Sequence, residues 1–300
     1  MMPSVDKAAI TPSLVSRLVA GQFPQWAGLP VRPVELAGWD NATFRLGEDM
    51  SVRLPSGGQY APQVDKEHLW LPALARQLPL PIPEPLAKGA PALGFPGQWS
   101  VYRWLDGDHA TAGRVAEPGR FAADLADFLA ALYQIDPAGG PPPGQHNFFR
   151  GGPLTMNDSE ARAAIAALAS EIDAVRAAEV WEAALGASWH GRPVWLHGDV
   201  SPENLLVRDG RLSAVIDFGC SAVGDPACDT DITWTFLAGQ SRRVFRNRLP
   251  ADEATWARGR GWALWKAMMV LRRALKDDPA DAIGTKRVIR EILADHQNAA

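Results

Sequence analysis

The sequence is poor in several features that would assign a protein to a class at once. It contains two cysteines, Cys220 and Cys228, whose spacing matches no metal site, and such low cysteine usage favours a reducing cytoplasm. The formal net charge is −4, so no basic field that would recruit nucleic acid is expected. No apolar run reaches the roughly 20 residues that span a bilayer, and the first residues lack the pattern of a signal peptide. These absences predict a cytoplasmic protein without a nucleic-acid or membrane partner.

The chain is rich in apolar residues, and its pattern changes along its length. Of its 300 residues, 47% are hydrophobic and 12 are tryptophan, enough for one large domain or two lobes. The first part is predicted to contain a short helix, three antiparallel strands, a helix interrupted at Pro72 and two further strands, at 11–19, 34–36, 43–46, 50–54, 62–77, 86–88 and 99–104. After Asp106-Gly107 the pattern is mainly helical, with helices predicted at 121–133, 160–185 and 253–296.

This order of elements predicts an α+β fold with two lobes. A small antiparallel β-sheet lobe is expected over residues 1–103 and a larger, mainly helical lobe over residues 104–300. A crevice between two lobes is a preferred place for a ligand, so the functional site is expected there.

Two short motifs flank a predicted β-hairpin in the second half of the chain. The motif D-x-x-x-x-N begins at Asp199 and ends at Asn204, and the motif D-F-G begins at Asp217. Between them, two apolar strands surround a turn at Asp209-Gly210, which is a strong hairpin signal. Folding the hairpin brings Asn204 and Asp217 to within about two residues of register, so both are expected at the same end of the ribbon.

These residue types have the chemistry of phosphoryl transfer. In kinases the first aspartate accepts the proton of the attacking hydroxyl, while the asparagine and the second aspartate hold magnesium. Oxygen ligands are those that a hard cation such as Mg²⁺ prefers. Either tripeptide alone would fit an ordinary loop, but the ordered set with a hairpin between its parts is far more specific. We predict Asp199 as the catalytic base and Asn204 and Asp217 as Mg²⁺ ligands.

Three segments of the second half together form a family signature. They are HGDVSPENLLV from His197, IDFG from Ile216 and GDPACD from Gly224. With these segments the chain resembles the aminoglycoside phosphotransferase family, which includes antibiotic kinases and relatives that act on choline, homoserine and similar metabolites. The resemblance covers nearly the whole chain. It implies a two-lobed protein-kinase-like fold, a nucleotide in the crevice and phosphoryl transfer to a substrate hydroxyl.

The resemblance also implies roles for residues around the motifs. His197 would brace the catalytic loop, with plain packing as the alternative. Asp225 and Asp229 would be buried supports that hydrogen-bond this loop or cap the following helix. For Asp229 and Asp231, a helix N-cap is the simpler role.

On the nucleotide side the chain departs from the usual pattern of this family. Arg53 stands on the third predicted strand, where the family usually has a lysine, and Glu67 on the following helix is its expected partner. An arginine keeps the charge but contacts phosphates with a different geometry. The alternative is a surface arginine and a surface glutamate that never meet.

Two further segments are expected to contact the nucleotide, ATP or GTP. No G-x-G-x-x-G occurs, and the loop 38–43 with Asn41 is the candidate for covering the phosphates, although a plain hairpin loop would look the same. The segment 100–104, with Ser100 and Tyr102, is expected to link the lobes and to offer its backbone to the nucleobase.

The acceptor is expected between the catalytic loop and helices within 160–185 and 254–273. An aminoglycoside-like or other antibiotic is the preferred acceptor, and a choline-, homoserine- or sugar-type metabolite is the alternative. Side chains that could contact it, each also explained as surface charge or core, are Asp158, Glu160, Asp252, Glu253, Trp234, Trp262 and Trp265. The protein is expected to be a monomer or a homodimer.

Rival functions fit the sequence less well. A protein kinase is disfavoured because only four residues, 220–223, separate D-F-G from the GDPACD segment, which leaves no room for a long activation segment. An inactive nucleotide-binding scaffold would be expected to have lost at least one of Asp199, Asn204 and Asp217. A metal-dependent hydrolase would more often use several histidines, and near this cluster the sequence has only His197.

Overall fold

The computed structural model describes residues 5–34, 40–277 and 279–299 and confirms the α+β class. The N-terminal part consists of α1 (Pro12–Gln22), β1 (Val31–Pro33), β2 (Asn41–Leu46), β3 (Met50–Pro55), α2 (Ala61–Ala75), β4 (Pro85–Gly89) and β5 (Trp99–Arg103). The strands form an antiparallel sheet in the order β1-β2-β3-β5-β4. The first strand therefore lies earlier than the predicted 34–36, and most of that predicted segment, with Gly38 and Trp39 of the predicted phosphate loop, lies outside the described residues.

The alternation of side chains along β3 decides which way its arginine points. Val52 and Leu54 are fully buried and belong to an apolar core that also contains Val15 and Leu18 of α1. Successive side chains of a strand point to opposite faces, so Arg53 projects from the other face, toward α2.

Helix α2 continues through Pro72 to Ala75, so the predicted interruption at this proline is wrong. A proline inside a helix removes one backbone hydrogen bond. Leu71 and Leu74 on either side of it are each 1% exposed and pack in the large core of the C-terminal part. Their burial outweighs the local cost of the proline, because tertiary packing overrides helix propensity.

The C-terminal part is mainly helical, as predicted. Its elements are β6 (Asp108–His109), α3 (Pro118–Gln134), α4 (Asp158–Ala167), α5 (Ala174–Gly186), β7 (Val194–Leu196), β8 (Leu205–Arg208), β9 (Arg211–Val215), β10 (Ala222–Gly224), α6 (Ile232–Thr235), α7 (Gly239–Arg248), α8 (Glu253–Asp277) and α9 (Pro279–Ala299). The predicted helical segments 160–185 and 253–296 are each two helices rather than one. Strands β6, β8 and β9 form one small sheet, and β7 pairs with β10 in another.

Two apolar cores divide the chain. The smaller lies between the β-sheet and α1, and the larger extends from Leu71 of α2 and Tyr102 of β5 through the C-terminal helices. Trp181 and Trp195 are almost fully buried in the larger core, and Trp99 is fully buried in the smaller one. Because α2 and β5 contribute to the larger core, the division of the lobes at residue 103 stays a prediction. Within the described ranges, no helix combines the length and apolarity needed to cross a bilayer.

Candidate active site

The predicted β-hairpin is present and positions the two expected metal ligands. The turn residues Asp209 and Gly210 have φ angles of 52° and 77°, which a two-residue hairpin turn requires. At the other end of the ribbon, the Ile216 amide donates to the Asn204 carbonyl oxygen at 2.9 Å. Asn204 thus lies opposite the residue that precedes Asp217, and the prediction that both lie at the same end is confirmed.

The loop before β8 holds Asp199 through its neighbours. The Asn204 amide donates to the backbone carbonyl oxygen of Asp199 at 2.9 Å and to its carboxylate at 3.1 Å. His197 is fully buried, and its ring contacts the Asp199 amide at 3.2 Å and the Ile216 carbonyl oxygen at 2.9 Å. These bonds tie the loop to the ribbon, so the expected bracing role of His197 is confirmed.

Asp229 supports the same loop from behind. Its carboxylate accepts from the amides of His197 and Gly198 at 2.9 and 2.6 Å, and Tyr133 donates to it at 3.4 Å. Burial raises the pKa of Asp229 to about 6, although the two amides and His197 oppose that shift. The prediction of a loop support is confirmed for Asp229 and the helix N-cap is wrong, because both oxygens are used on the loop.

The 3₁₀ turn at Pro226–Thr230 is capped by a different aspartate, Asp225. The Asp225 carboxylate accepts from the Ala227 amide at 3.1 Å and pairs with the Arg258 guanidinium at 2.6 and 3.1 Å. The cap expected at Asp231 is wrong, since its side chain makes no capping bond and has a different partner, described below.

On the nucleotide side, one arginine faces three carboxylates. The Nη2 atom of Arg53 lies 3.3 Å from Asp217 and 3.6 Å from Asp40, and its Nη1 atom lies 3.9 Å from Glu67. The predicted pairing of Arg53 with Glu67 is confirmed, and Tyr102 donates its hydroxyl to the other oxygen of Glu67. Burial raises the pKa of both Asp40 and Glu67, while the three carboxylates outweigh the burial of Arg53 and raise its pKa well above the ordinary value.

The other residues expected to contact nucleotide occupy different structural positions. Asn41 begins β2, and its amide donates to Asp40 at 2.8 Å. Ser100 and Tyr102 lie in β5, whose backbone pairs with β3 on one side and β4 on the other. The expectation that 100–104 links the lobes is therefore wrong for residues up to Arg103, and the connection begins at Trp104. Contact between any of these residues and a nucleotide stays a prediction.

A lysine that the sequence analysis missed holds the predicted base. The Lys266 ammonium of α8 donates to Asp199 at 2.7 Å and to the buried Asp231 at 3.1 Å. Burial alone would raise the pKa of Asp199, but Lys266, with smaller contributions from Arg150 and His197, brings it below the ordinary value. A single charge within the apolar run 261–271 was the signal that could have revealed Lys266.

Comparison with known proteins shows the family to which this chain belongs. The family described as "Phosphotransferase enzyme family" (APH) matches residues 31–262, more than half of the chain. The chain belongs to this phosphotransferase family. The match confirms the predicted enzyme class, and none of the curated proteins matches the chain in sequence.

Solved structures of similar fold include two groups of antibiotic phosphotransferases. The GDP complex of aminoglycoside 2'-phosphotransferase-IIIa is 19% identical, with a TM-score of 0.72 over 95% of this chain and 99% of that chain. The apoenzyme of macrolide 2'-phosphotransferase MphH from Brachybacterium faecium is 21% identical, with a TM-score of 0.58 over 93% and 97%. At these identities the similarity shows the fold, which is the predicted kinase-like one.

The donor atoms of this phosphotransferase fit a magnesium ion. The Asn204 amide nitrogen is engaged by Asp199, which leaves its oxygen to face a cation, and the Asp217 carboxylate is 27% exposed. In the described part of the chain, no three His, Cys, Asp or Glu side chains form a metal cluster of their own. Magnesium bound with phosphates needs only one or two protein ligands of this kind.

A second lysine of the phosphotransferase, also missed from the sequence, fixes the segment after D-F-G. Lys66 of α2 is buried and donates to the carbonyl oxygens of Gly219 and Ser221 at 2.6 and 2.9 Å. Its ammonium also lies 3.4 Å from the His146 ring. Burial lowers the pKa of Lys66 to about 8.

The acidic side chains considered for a cationic acceptor are engaged elsewhere. Asp158 accepts from Trp181 and Arg162, both at 2.8 Å. Glu160 accepts from the indole of Trp265 at 2.9 Å.

The remaining two acidic candidates belong to the start of α8. Asp252 accepts from the amide and the hydroxyl of Thr255, and Glu253 lies 3.8 Å from Arg246. Of the tryptophans, Trp234 and Trp262 are buried, in line with the expected core role.

Proposed function

We propose that this phosphotransferase moves the γ-phosphate of ATP or GTP to a hydroxyl group of a small molecule in a magnesium-dependent reaction. The observation that carries the proposal is the convergence of Asp199, Asn204 and Asp217 at one end of the β8–β9 ribbon, with the Asn204 amide 3.1 Å from the Asp199 carboxylate. This is the arrangement of base and metal ligands that phosphoryl transfer needs.

Asp199 is the proposed catalytic base. Its carboxylate is about one-third exposed, and its lowered pKa keeps it ionised at neutral pH. The acceptor hydroxyl oxygen forms a bond to the γ-phosphorus, the bond from that phosphorus to the bridging oxygen breaks, and the nucleoside diphosphate leaves. The hydroxyl proton passes to Asp199. Asn204 holds the carboxylate in place by its two hydrogen bonds to Asp199.

Asn204 and Asp217 are the proposed ligands of Mg²⁺, which would neutralise charge on the nucleotide phosphates. Arg53 lies 3.3 Å from Asp217 and is the proposed cation for the same phosphates. Glu67, held by Tyr102, orients Arg53 from the opposite side. Asn41, at the start of β2, is proposed to lie over the phosphates.

Two observations favour a small acceptor that binds beside Asp199. The D-F-G segment returns to the fold within a few residues, because Ala222–Gly224 already pairs with β7. A polypeptide acceptor would need the longer activation segment that this connection lacks. Solved neighbours of the same fold include a GDP and kanamycin complex and a streptomycin-ATP ternary complex. Both nucleotides therefore remain in the proposal.

The test is release of nucleoside diphosphate from ATP and from GTP, with and without Mg²⁺ and with hydroxyl compounds of different charge. Asp199→Asn should lower turnover by about 10²–10⁴-fold, because the base is lost while the fold and the metal ligands remain. Calorimetric affinity for nucleotide with Mg²⁺ should stay near that of the wild type. Asp209→Asn, the same chemical change at an exposed turn residue with positive φ, is the matched control. Full turnover by Asp199→Asn would remove the base from the proposal.

A further inference from the structure

The loop before α4 carries an arginine without an acidic partner. Arg150 is partly buried, and its Nε atom is shielded from solvent and has no hydrogen-bond partner. Among residues 5–34, 40–277 and 279–299, no carboxylate lies within ion-pair distance of its guanidinium. The buried Nε–H is thus left without an acceptor, which is costly unless a ligand supplies one, and the terminal nitrogens of the same fork form no ion pair with the described carboxylates.

Two indole rings hold this guanidinium beside the proposed base. The centre of the Arg150 guanidinium lies 5.3 Å from the ring centroid of Trp262 and 5.0 Å from that of Trp265. Trp265 and Lys266 lie three and four residues after Trp262 along α8, so each is a neighbour of Trp262 on the helix surface. From there Lys266 reaches Asp199 at 2.7 Å. The Arg150 charge also contributes to the lowered pKa of Asp199.

The loop that presents Arg150 is built for one conformation. Phe148 and Phe149 have φ angles of 53° and 56°, and Gly151 has a φ of 80°. Left-handed backbone at two bulky residues persists only where the surroundings impose it. Asn147 imposes it here, because its fully buried amide donates to the carbonyl oxygens of Arg150 at 2.9 Å and Cys220 at 3.2 Å.

We infer that Arg150 binds an oxyanion group of the acceptor, a carboxylate or a phosphate, so that this phosphotransferase acts on an anionic hydroxyl compound. The inference rests on the proposed function, since it assigns the acceptor of the same site. A guanidinium fork matches carboxylate and phosphate oxygens in pairs. A polycation would instead meet Arg150 and Lys266.

Four carboxylates on the proposed acceptor side are already engaged, which leaves them less able to balance such a polycation. Asp199 and Asp231 are already paired with Lys266. Asp158 and Glu160, on the helix that follows the loop, accept hydrogen bonds from tryptophans of α5 and α8. The aminoglycoside-like acceptor favoured by the family resemblance therefore fits this site less well than an anionic one.

The test compares four sugars and one aminoglycoside that differ in charge. D-Glucuronate and D-glucose 6-phosphate are the anionic probes, D-glucose the neutral one, and D-glucosamine and kanamycin the cationic ones. Binding is measured by calorimetry with Mg²⁺ and a non-hydrolysable nucleoside triphosphate. At least one anionic probe should bind about tenfold or more tightly than glucose, glucosamine and kanamycin. The better of the two anionic probes shows whether the site selects carboxylate or phosphate.

Variants of the arginine locate the preference. Arg150→Gln should abolish the tenfold advantage of the anionic probe without changing the affinity for nucleotide and Mg²⁺. Arg150→Lys should retain part of the advantage, because the charge remains while the paired contact is lost. Arg17→Gln, the same change on the exposed side of α1, should behave as the wild type.

Three results would each overturn the inference. They are equal or tighter binding of a neutral or cationic probe, an anion preference that survives in Arg150→Gln, and no binding by any probe. Weaker nucleotide binding by Arg150→Gln would likewise overturn it, because Arg150 would then serve the triphosphate. Nucleotide hydrolysis with Mg²⁺ and water, abolished by Asp199→Asn, tests the proposed function separately. If that activity is present, a failed anion preference removes only the acceptor assignment.

Discussion

The proposed nucleotide side and the proposed acceptor side of the site balance their charges in different ways. On the proposed nucleotide side, one guanidinium, that of Arg53, faces Asp40, Glu67 and Asp217, and Lys7 and Lys66 also act on these carboxylates. On the acceptor side, Lys266 and Arg150 accompany Asp199 and Asp231, so cations and carboxylates are equal in number. On the first side a single guanidinium is shared by three carboxylates, one of which, Asp217, is a proposed ligand of a divalent cation. On the second side Lys266 pairs with both carboxylates and Arg150 has no acidic partner among the described residues, which is the basis of the proposed anionic acceptor.

The largest effect is expected from changing the side on which Arg53 faces three carboxylates. Asp217→Asn removes a proposed metal ligand and should weaken Mg²⁺-dependent nucleotide binding by about 100-fold or more, since loss of even an outer-shell group costs 10–100-fold. Titration calorimetry with and without Mg²⁺ measures the difference. Asp209→Asn serves again as the control. An unchanged affinity in the presence of Mg²⁺ would mean that Asp217 is not a ligand and that its negative charge serves only Arg53.

A smaller effect is expected from Lys266, the cation that pairs with the proposed base. Lys266→Met removes the ammonium that lowers the pKa of Asp199, so this pKa should rise by about one to three units. A base must be ionised to act, and the acid limb of the pH–rate profile should therefore move to higher pH. The profile is measured on nucleotide hydrolysis without acceptor. Lys276→Met, an exposed position of the same helix, is the control. Superimposable profiles would separate Lys266 from the base.

The last expected effect is on stability and concerns the buried ammonium of Lys66. The pKa of Lys66 is about 8 in the folded protein against an ordinary 10.5. Its contribution to the free energy of unfolding is therefore fully present above pH 10.5 and is lost as the pH falls through 8. The stability difference between wild type and Lys66→Met should change by roughly 1.4 kcal/mol per pH unit across this window.

Urea unfolding between pH 7.5 and 10 measures this difference. Lys88→Met, at a lysine that is 41% exposed, corrects for general effects of lost charge. Parallel curves for wild type and Lys66→Met would show that burial does not govern the charge of Lys66.

The features that the sequence predicted correctly depend on residues that are close together in the chain. The β8–β9 ribbon follows from a turn and two apolar runs that are contiguous in the chain, so Asn204 and Asp217 could be brought together from spacing alone. The register of β3, and with it the direction of Arg53, follows from alternation in a single strand. Tertiary packing decided where local rules failed, as at Pro72, which the burial of Leu71 and Leu74 keeps inside α2.

The cations of the site could not be predicted in the same way. Lys266 and Arg150 reach Asp199 from segments about 50 to 70 residues away, and no motif surrounds either of them. Lys66 stands beside the predicted Glu67, yet its contacts with Gly219 and Ser221 exist only after α2 has packed on the second lobe. Such contacts depend on how elements that are distant in the sequence pack against each other. Neither the hydrophobic periodicity nor the turn residues predict that packing.

The side-chain amide of Asn147 links two segments of the protein, so neither can change its conformation independently of the other. This one side chain joins the peptide after Phe218-Gly219 to the peptide of Arg150, so a shift of either segment is transmitted to the other. Remodelling that loop would therefore disturb the proposed metal ligand Asp217 together with the proposed anion site at Arg150. Changes of substrate preference are expected to be easier at side chains that contact neither segment.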